Sequence, residues 1–185
     1  MECKGKMGLY DLLTACKELV RTGWMLRGVP HPIGETVAEH SWEAAVIAYV
    51  IASEMREGGA TVDPDHAAAL ALFHDILEGL TGDLPRYSSE AIGPARRSLE
   101  VMALKDACLY GAEKLYREWM EGLSVEARVA RLADYLSTYL QARRYLAAGY
   151  PGVEEILHST RMEMEKLAEL LGLEDIVGRI VKNLA

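Results

Sequence analysis

Residues 74 to 86 read His-Asp-Ile-Leu-Glu-Gly-Leu-Thr-Gly-Asp-Leu-Pro-Arg and follow directly on the apolar run Ala67 to Phe73. Placing His74, Asp75, Glu78 and Asp83 so close to a buried-looking helix is costly unless something pairs them, and a divalent cation is the economical partner. If residues 66 to 80 are helical, Glu78 lies one turn beyond both His74 and Asp75 and shares their face. Gly79 and Gly82 loosen the helix end, and Asp83 is carried into the following loop ahead of Pro85. One short stretch therefore offers two metal ligands, an acid/base group and a second carboxylate.

Upstream, Asp63-Pro64 supplies an N-cap and a first-turn proline for this helix. Thr36-Val-Ala-Glu39 is a capping-box pattern that opens another helix through about Glu57, with His40 in its first turn. The helix macrodipole there disfavours imidazolium, and neutral imidazole is the form that ligates metals. Before it, Leu9, Leu12, Leu13, Cys16, Leu19 and Val20 recur at helical spacing. The segment from Arg21 to Pro30 reads as irregular and sets Arg21 and Arg27 around Trp24. Two readings fit it: a loop whose tryptophan packs on the core, or a clamp in which arginine forks hold phosphate and the indole walls off a sugar.

Downstream, residues 84 to 97 read as a connecting stretch in which Arg86, Arg96 and Arg97 face solvent or a ligand, solvent being the favoured reading. Helical patterns resume over 99 to 104 and 112 to 120. Ser124 caps a long helix to Ala148 whose apolar stripe includes Val129, Leu132 and Leu136, with Asp134 near its middle in Ala-Arg-Leu-Ala-Asp-Tyr-Leu. Two further helices follow Pro151. No strand signal of any length appears, so the fold is all-α.

Composition narrows the function. The chain has 185 residues, 50% of them hydrophobic and 26% charged, with a net charge of -8; that is ordinary for a globular domain and wrong for a nucleic-acid polymer partner, which calls for a broad basic surface. A small anion needs a local cation to enter such a field. Cys3, Cys16 and Cys108 are odd in number and widely spaced, indicating neither a disulfide framework nor a thiolate zinc site, and a reduced cytoplasm fits them. No run reaches the ~20 apolar residues of a membrane span. Spacing excludes His-Glu-x-x-His proteases, paired Glu-x-x-His di-iron bundles and the glycine-rich nucleotide loops.

Ala38-Glu-His40-Ser-Trp, His74-Asp75-x-x-Glu78-x-x-Thr-Gly-Asp83-x-Pro and Ala133-Asp134 together resemble the HD-domain metal phosphohydrolases, specifically the YfbR-like 5′-deoxynucleotidases. The resemblance runs over about residues 9 to 150. It implies a single all-α HD-domain bundle over 1–185, with a helical extension from about 151. It also implies His40, His74, Asp75 and Asp134 as metal ligands, Glu78 as the acid/base residue beside the nucleophilic water, and Asp83 as a second catalytic acid near the sugar or the leaving oxygen. Arg21, Trp24 and Arg27, with Asp83, would bind substrate, although the Arg-x-x-Trp spacing departs from members in which the two are adjacent. Cobalt or manganese is the expected ion, with zinc, nickel, iron and magnesium as alternatives. The implied reaction is hydrolysis of a deoxyribonucleoside 5′-monophosphate by a cytoplasmic homodimer with no membrane or nucleic-acid partner. Two rival readings stand beside it: hydrolysis of another nucleotide ester, such as a cyclic dinucleotide or a triphosphate, and a catalytically silent helical dimer acting as a scaffold or nucleotide sensor.

Overall fold

A computed structural model describes residues 6–182; Cys3 lies outside them. The chain winds through α1 (Leu9–Glu18), α2 (Thr22–Met25), α3 (Val37–Glu57), α4 (Pro64–Phe73), α5 (Glu78–Thr81), α6 (Arg86–Ile92), α7 (Pro94–Asp106), α8 (Glu113–Glu121), α9 (Val125–Ala147), α10 (Glu154–Leu171) and α11 (Glu174–Lys182). Among the described residues there is no strand, only two isolated bridges, Met7 to Ala107 and Val20 to Thr36. No helix among them is long and apolar enough to cross a membrane.

The helices begin where local chemistry satisfies their orphan N–H groups. Thr36 Oγ1 accepts from Glu39 N at 3.2 Å while Glu39 Oε2 accepts from Thr36 N at 2.8 Å, a complete capping box. Asp63 Oδ1 accepts from Asp65 N and His66 N, and Ser124 Oγ accepts from Ala127 N.

Helices α3, α4 and α9 pack on one another, and α10 lies along α9. Their shared core is rich in alanine (Ala44, Ala48, Ala52, Ala67, Ala71, Ala130, Ala133), which lets the backbones approach closely, with Ile51, Leu70, Leu132 and Leu136 filling the gaps. A second core joins α1 to the α4–α5 turn, α7 and α8 through Leu12, Cys16, Leu77, Leu104 and Tyr116. A third, around Trp24, Val29, Ala142, Tyr145 and Val153, clamps α2 to the end of α9.

Several local expectations are corrected. The segment after Arg21 is not wholly irregular but contains α2, and the stretch after Pro85 is helical rather than a connector. The helix carrying the His-Asp pair does not run to residue 80. It stops at Phe73, and 74–77 wind more tightly: Ile76 N donates to Phe73 O, Glu78 N to Asp75 O and Gly79 N to Ile76 O. This i to i+3 winding eclipses side chains three apart, so Asp75 and Glu78 stack more directly than on an α-helix, whereas the i+4 relation of His74 to Glu78 is weakened. Cys16 is a buried free thiol whose Sγ donates to Ile76 O at 3.4 Å.

Candidate active site

The capping box fixes the first turn of α3, and with it His40, whose side chain is fully buried. His74 closes α4, Asp75 follows in the tight turn, and Asp134 projects from the middle of α9. These three elements cross at one point. His40 Nε2 lies 3.0 Å from Asp134 Oδ1 and 3.8 Å from Asp75 Oδ2; His74 Nε2 lies 2.9 Å from Asp75 Oδ2 and 3.7 Å from Asp134 Oδ1. One donor atom each from His40, His74 and Asp134 falls within a 4.8 Å set.

The far side of each imidazole decides which nitrogen faces the cluster. His74 Nδ1 is 2.6 Å from the carbonyl oxygen of Ala71, which can only accept, so in the neutral, metal-binding ring Nδ1 carries the proton and Nε2 a lone pair. His40 Nδ1 is 3.2 Å from Ser137 Oγ. That hydroxyl donates to Glu43 Oε2 at 3.0 Å and so accepts from His40, and Glu43 is in turn gripped by Arg144. Backbone or outer-sphere partners of this kind are what orient ligating histidines. Both Nε2 lone pairs then point at carboxylate oxygens. His74 Nε2 is buried with no hydrogen-bond partner, since Asp75 lies close but outside hydrogen-bond geometry. Two imidazole lone pairs and two carboxylates converging at such distances repel one another unless a positive charge sits among them. The donor set fits a divalent cation of borderline softness.

The electrostatics of the metal-free cluster ask for the same charge. Burial, the largest influence on His74, opposes protonation, yet Asp75 and Asp134 together outweigh it and push its pKa up to about 9. Burial likewise works to raise Asp75 and Asp134, but the histidines, and for Asp75 also Arg21, hold both below the usual carboxylate range. At Glu78 the only lowering influence, Arg21, is outweighed. Burial, then the charges of Asp75 and Asp83, push it up to about 10, and its Oε2 is buried without a partner.

Beside this cluster lies a cavity of about 380 Å³, within the small-molecule range, with His74, Asp75, Glu78 and Asp134 on its wall. Its remaining lining includes two of the arginines expected to face solvent, and both are exposed. Arg96 and Arg97 face the cavity from α7, joined by Trp119 of α8 and by Arg131 and Tyr135 of α9. Arg86 is exposed too, paired with Glu90 at 2.7 Å. Trp119 and Arg97 left no local signal, because only tertiary packing brings them here. Arg131 could have been found, lying three residues before Asp134 on one helix face.

The predicted substrate segment is divided by the structure. Arg21 lies next to the cluster: its Nη1 donates to Thr138 Oγ1 at 3.1 Å and meets Glu35 Oε2 at 3.4 Å. Although burial opposes its charge, Glu35, Asp75, Asp134 and Asp83 hold its pKa above the ordinary arginine value. Trp24 is not on the cavity wall. It is 2% exposed, its Nε1 donates to Glu35 Oε2 at 2.9 Å, and its ring meets Tyr145 edge-on at 5.2 Å. The third core claims the indole, so the packing reading of this tryptophan holds. Arg27 turns the other way and pairs with Glu155 at 2.6 Å. Asp83 accepts from Thr22 N through its carboxylate, while its carbonyl accepts from Thr22 Oγ1 at 3.0 Å. It straps the loop after α5 to the start of α2, immediately beside Arg21. Sequence reasoning missed Glu35, which ties Arg21, Trp24 and, through its N–H, the hydroxyl of Tyr145 into one buried network.

A family model described as 5′-deoxynucleotidase YfbR-like matches residues 10–182, so the likeness continues past 150 through α10 and α11. A 5′-deoxynucleotidase YfbR from Salmonella arizonae is 31% identical over 142 residues, spanning 70% of this chain and 69% of its own. One from Escherichia coli K12/DH10B is 33% identical over 140 residues with the same coverage. Among solved structures, a conserved hypothetical protein from Pyrococcus furiosus superposes with a TM-score of 0.79 at 29% identity, covering 94% of this chain and 99% of that one. An HD-domain phosphohydrolase from Listeria innocua shares the fold, with a TM-score of 0.74 at 16% identity over 96% of this chain and 90% of its own.

Proposed function

The chain belongs to the YfbR-like 5′-deoxynucleotidase family, and from that premise we propose that it hydrolyses a deoxyribonucleoside 5′-monophosphate to the deoxynucleoside and inorganic phosphate, using a divalent metal. One observation carries the reading: two histidines whose Nδ1 atoms are committed elsewhere present both Nε2 lone pairs to Asp75 and Asp134, at the edge of a nucleotide-sized cavity. His40, His74, Asp75 and Asp134 would hold the ion. Bound there, a divalent cation supplies a water of lowered pKa and neutralises charge on phosphoryl oxygens.

The chain's own residues do the rest. Glu78 Oε2, buried and without a protein partner, is the acceptor this site would offer to the proton of an attacking water once a cation at the cluster offsets Asp75 and Asp83, whose charges otherwise keep the carboxyl protonated. Arg21 supplies a guanidinium already fixed by Glu35 and Thr138, so little orientation entropy is lost when it meets a phosphate. Asp83 keeps Thr22, and hence Arg21, in place and acts through that brace rather than on the leaving oxygen. The loop and helix backbones around the cluster are immobilised by packing, and the chemistry needs such preorganisation because uncatalysed monoester hydrolysis is among the slowest reactions known.

The test is a panel of nucleoside mono-, di- and triphosphates, their ribo counterparts and cyclic forms, offered to protein loaded in turn with cobalt, manganese, zinc and magnesium. Phosphate release from dAMP above all other classes is expected, with one metal per chain by elemental analysis and a loss of that metal in His74→Ala and Asp134→Ala. Undiminished metal in both variants refutes the site, and turnover confined to triphosphates or cyclic dinucleotides refutes the substrate.

A further inference from the structure

Two cations on the cavity wall have no carboxylate partner among the described residues, Arg97 and Arg131. Arg131 is the better placed. It leaves α9 one turn before Asp134, so the two side chains share a helix face. Its guanidinium lies 4.7 Å from the ring centroid of Trp119, and its Nη2 donates to the Trp119 carbonyl at 3.1 Å. Trp119 in turn leans on His74, centroid to centroid 4.9 Å. Arg131, Trp119 and His74 thus form a stack that runs into the metal cluster. Its other guanidinium donors, Nε and Nη1, have no protein partner among the described residues.

An arginine in this situation is unusual in a chain of net charge -8. The same cavity carries Asp75, Glu78 and Asp134, and a dianionic phosphoryl group entering it meets a field of the wrong sign. A guanidinium held over an indole and tied through one nitrogen presents its remaining N–H groups in a fixed fork, the geometry that suits phosphate oxygens. We propose that Arg131 contacts the non-bridging oxygens of the substrate's phosphoryl group and that Trp119 is the platform that aims it. Arg131, on the cavity wall, would add a second cation to Arg21, which lies within reach of the charges of Asp75 and Asp134. The inference rests on the phosphohydrolase reading above.

A purely structural role is the competing account, because the Trp119 carbonyl belongs to the last turns of α8 and an arginine there can simply close the helix end. Calorimetric titration of metal-loaded protein with inorganic phosphate separates the two, and it does so whatever nucleotide the enzyme prefers. Arg131→Ala is expected to weaken phosphate about ten- to hundredfold, and to lower kcat/KM for dAMP by roughly 10²- to 10³-fold. Added guanidinium should restore part of the lost rate. Arg131→Lys, which keeps charge but not the fork, should fall between wild type and Arg131→Ala and serves where the alanine variant folds poorly. Arg161→Ala, on the exposed face of α10 with Glu165, is the neutral control. Unchanged phosphate affinity accompanied by a lowered melting temperature would overturn the proposal in favour of the structural role. A wild type that binds phosphate through Arg131 yet does not hydrolyse dAMP would instead count against the substrate assigned above.

Discussion

Gly79→Ala tests how tightly Glu78, the proposed acid/base residue, is positioned. A Cβ at residue 79 would lie 2.9 Å from the Leu12 carbonyl oxygen, 3.0 Å from Cys16 Sγ and 3.1 Å from Leu12 Cδ1. Ordinary contacts between heavy atoms lie near ~3.5 to 4.0 Å. The thiol and the leucine methyl can shift, but the carbonyl is part of α1 and cannot, so α5 must retreat by several tenths of an ångström. Overpacking of this kind costs about 1–3 kcal/mol. Alanine's better helix propensity returns at most ~1 kcal/mol, and less in a single turn. A net loss of about 1–2 kcal/mol corresponds to a melting temperature lower by roughly 2–8 °C for a chain of this size. The effect on turnover should be larger than stability alone suggests, because Glu78 is the adjacent residue and moves with the backbone. A 1 Å misplacement can cost ~10²-fold, so a few tenths should cost about tenfold in kcat/KM. Melting, metal content and dAMP hydrolysis would be measured together, with Cys16→Ala added to relieve the sulfur contact. The double variant should recover only in part. Wild-type melting and turnover in Gly79→Ala would refute the close approach of α5 to α1, and full rescue by Cys16→Ala would show that the carbonyl is not the obstacle.

Chelator-treated protein should lose stability as the pH rises. Glu78, pushed up to about 10 from 4.5, keeps in the folded state a proton that the unfolded chain has released, so stability falls from about pH 4.5 upward. His74, raised to about 9, adds stability that is full below pH 6.5 and is lost on the way to 9, whereas the depressed Asp75 works only in strong acid, where its contribution disappears as pH falls. Melting of the metal-free protein should therefore be lower at pH 9 than at pH 6.5, with a flatter slope in Glu78→Gln; a melting temperature that rises over this interval contradicts the assignment. Trp24→Ala should behave as a core truncation costing about 3–5 kcal/mol, roughly 6–20 °C in melting temperature, with the dAMP-to-AMP preference unmoved. A changed preference at unchanged stability would return the indole to the substrate pocket.

How much of this was legible depended on how local the signal was. The capping box at Thr36 and the caps at Asp63 and Ser124 are written within four residues, and the helices they open start where expected. His40, His74, Asp75 and Asp134 were named through the family resemblance that their order and spacing carry, and the structure brings all four side chains together. Trp24 carried two readings because an arginine-flanked indole looks the same in sequence whether it faces a ligand or a core. What decides is Tyr145 and Val153, more than 100 residues away. Arg97 and Trp119 reach the cavity only through the packing of α7 and α8, and nothing adjacent to them in the chain announces it. The end of α4 at Phe73 was hidden for a different reason: Ile76 and Leu77 continue the apolar pattern, so periodicity reads on through a turn that the backbone does not make as an α-helix.

That turn sets a limit on engineering. A stabilisation campaign guided by helix propensity would be drawn to residues 74–77, where a rewound backbone would join α4 to α5 and gain regular hydrogen bonds. In a continuous α-helix, however, neighbouring side chains diverge by about 100° and do not face each other. His74 Nε2 and Asp75 Oδ2, now 2.9 Å apart, would part company, and Asp75 would no longer eclipse Glu78. Here the gain in hardiness and the forfeiture of the catalyst would be one and the same event, so thermostable variants of this protein should be sought in α10 and α11 and on the outer face of α3, leaving the break between α4 and α5 as it is.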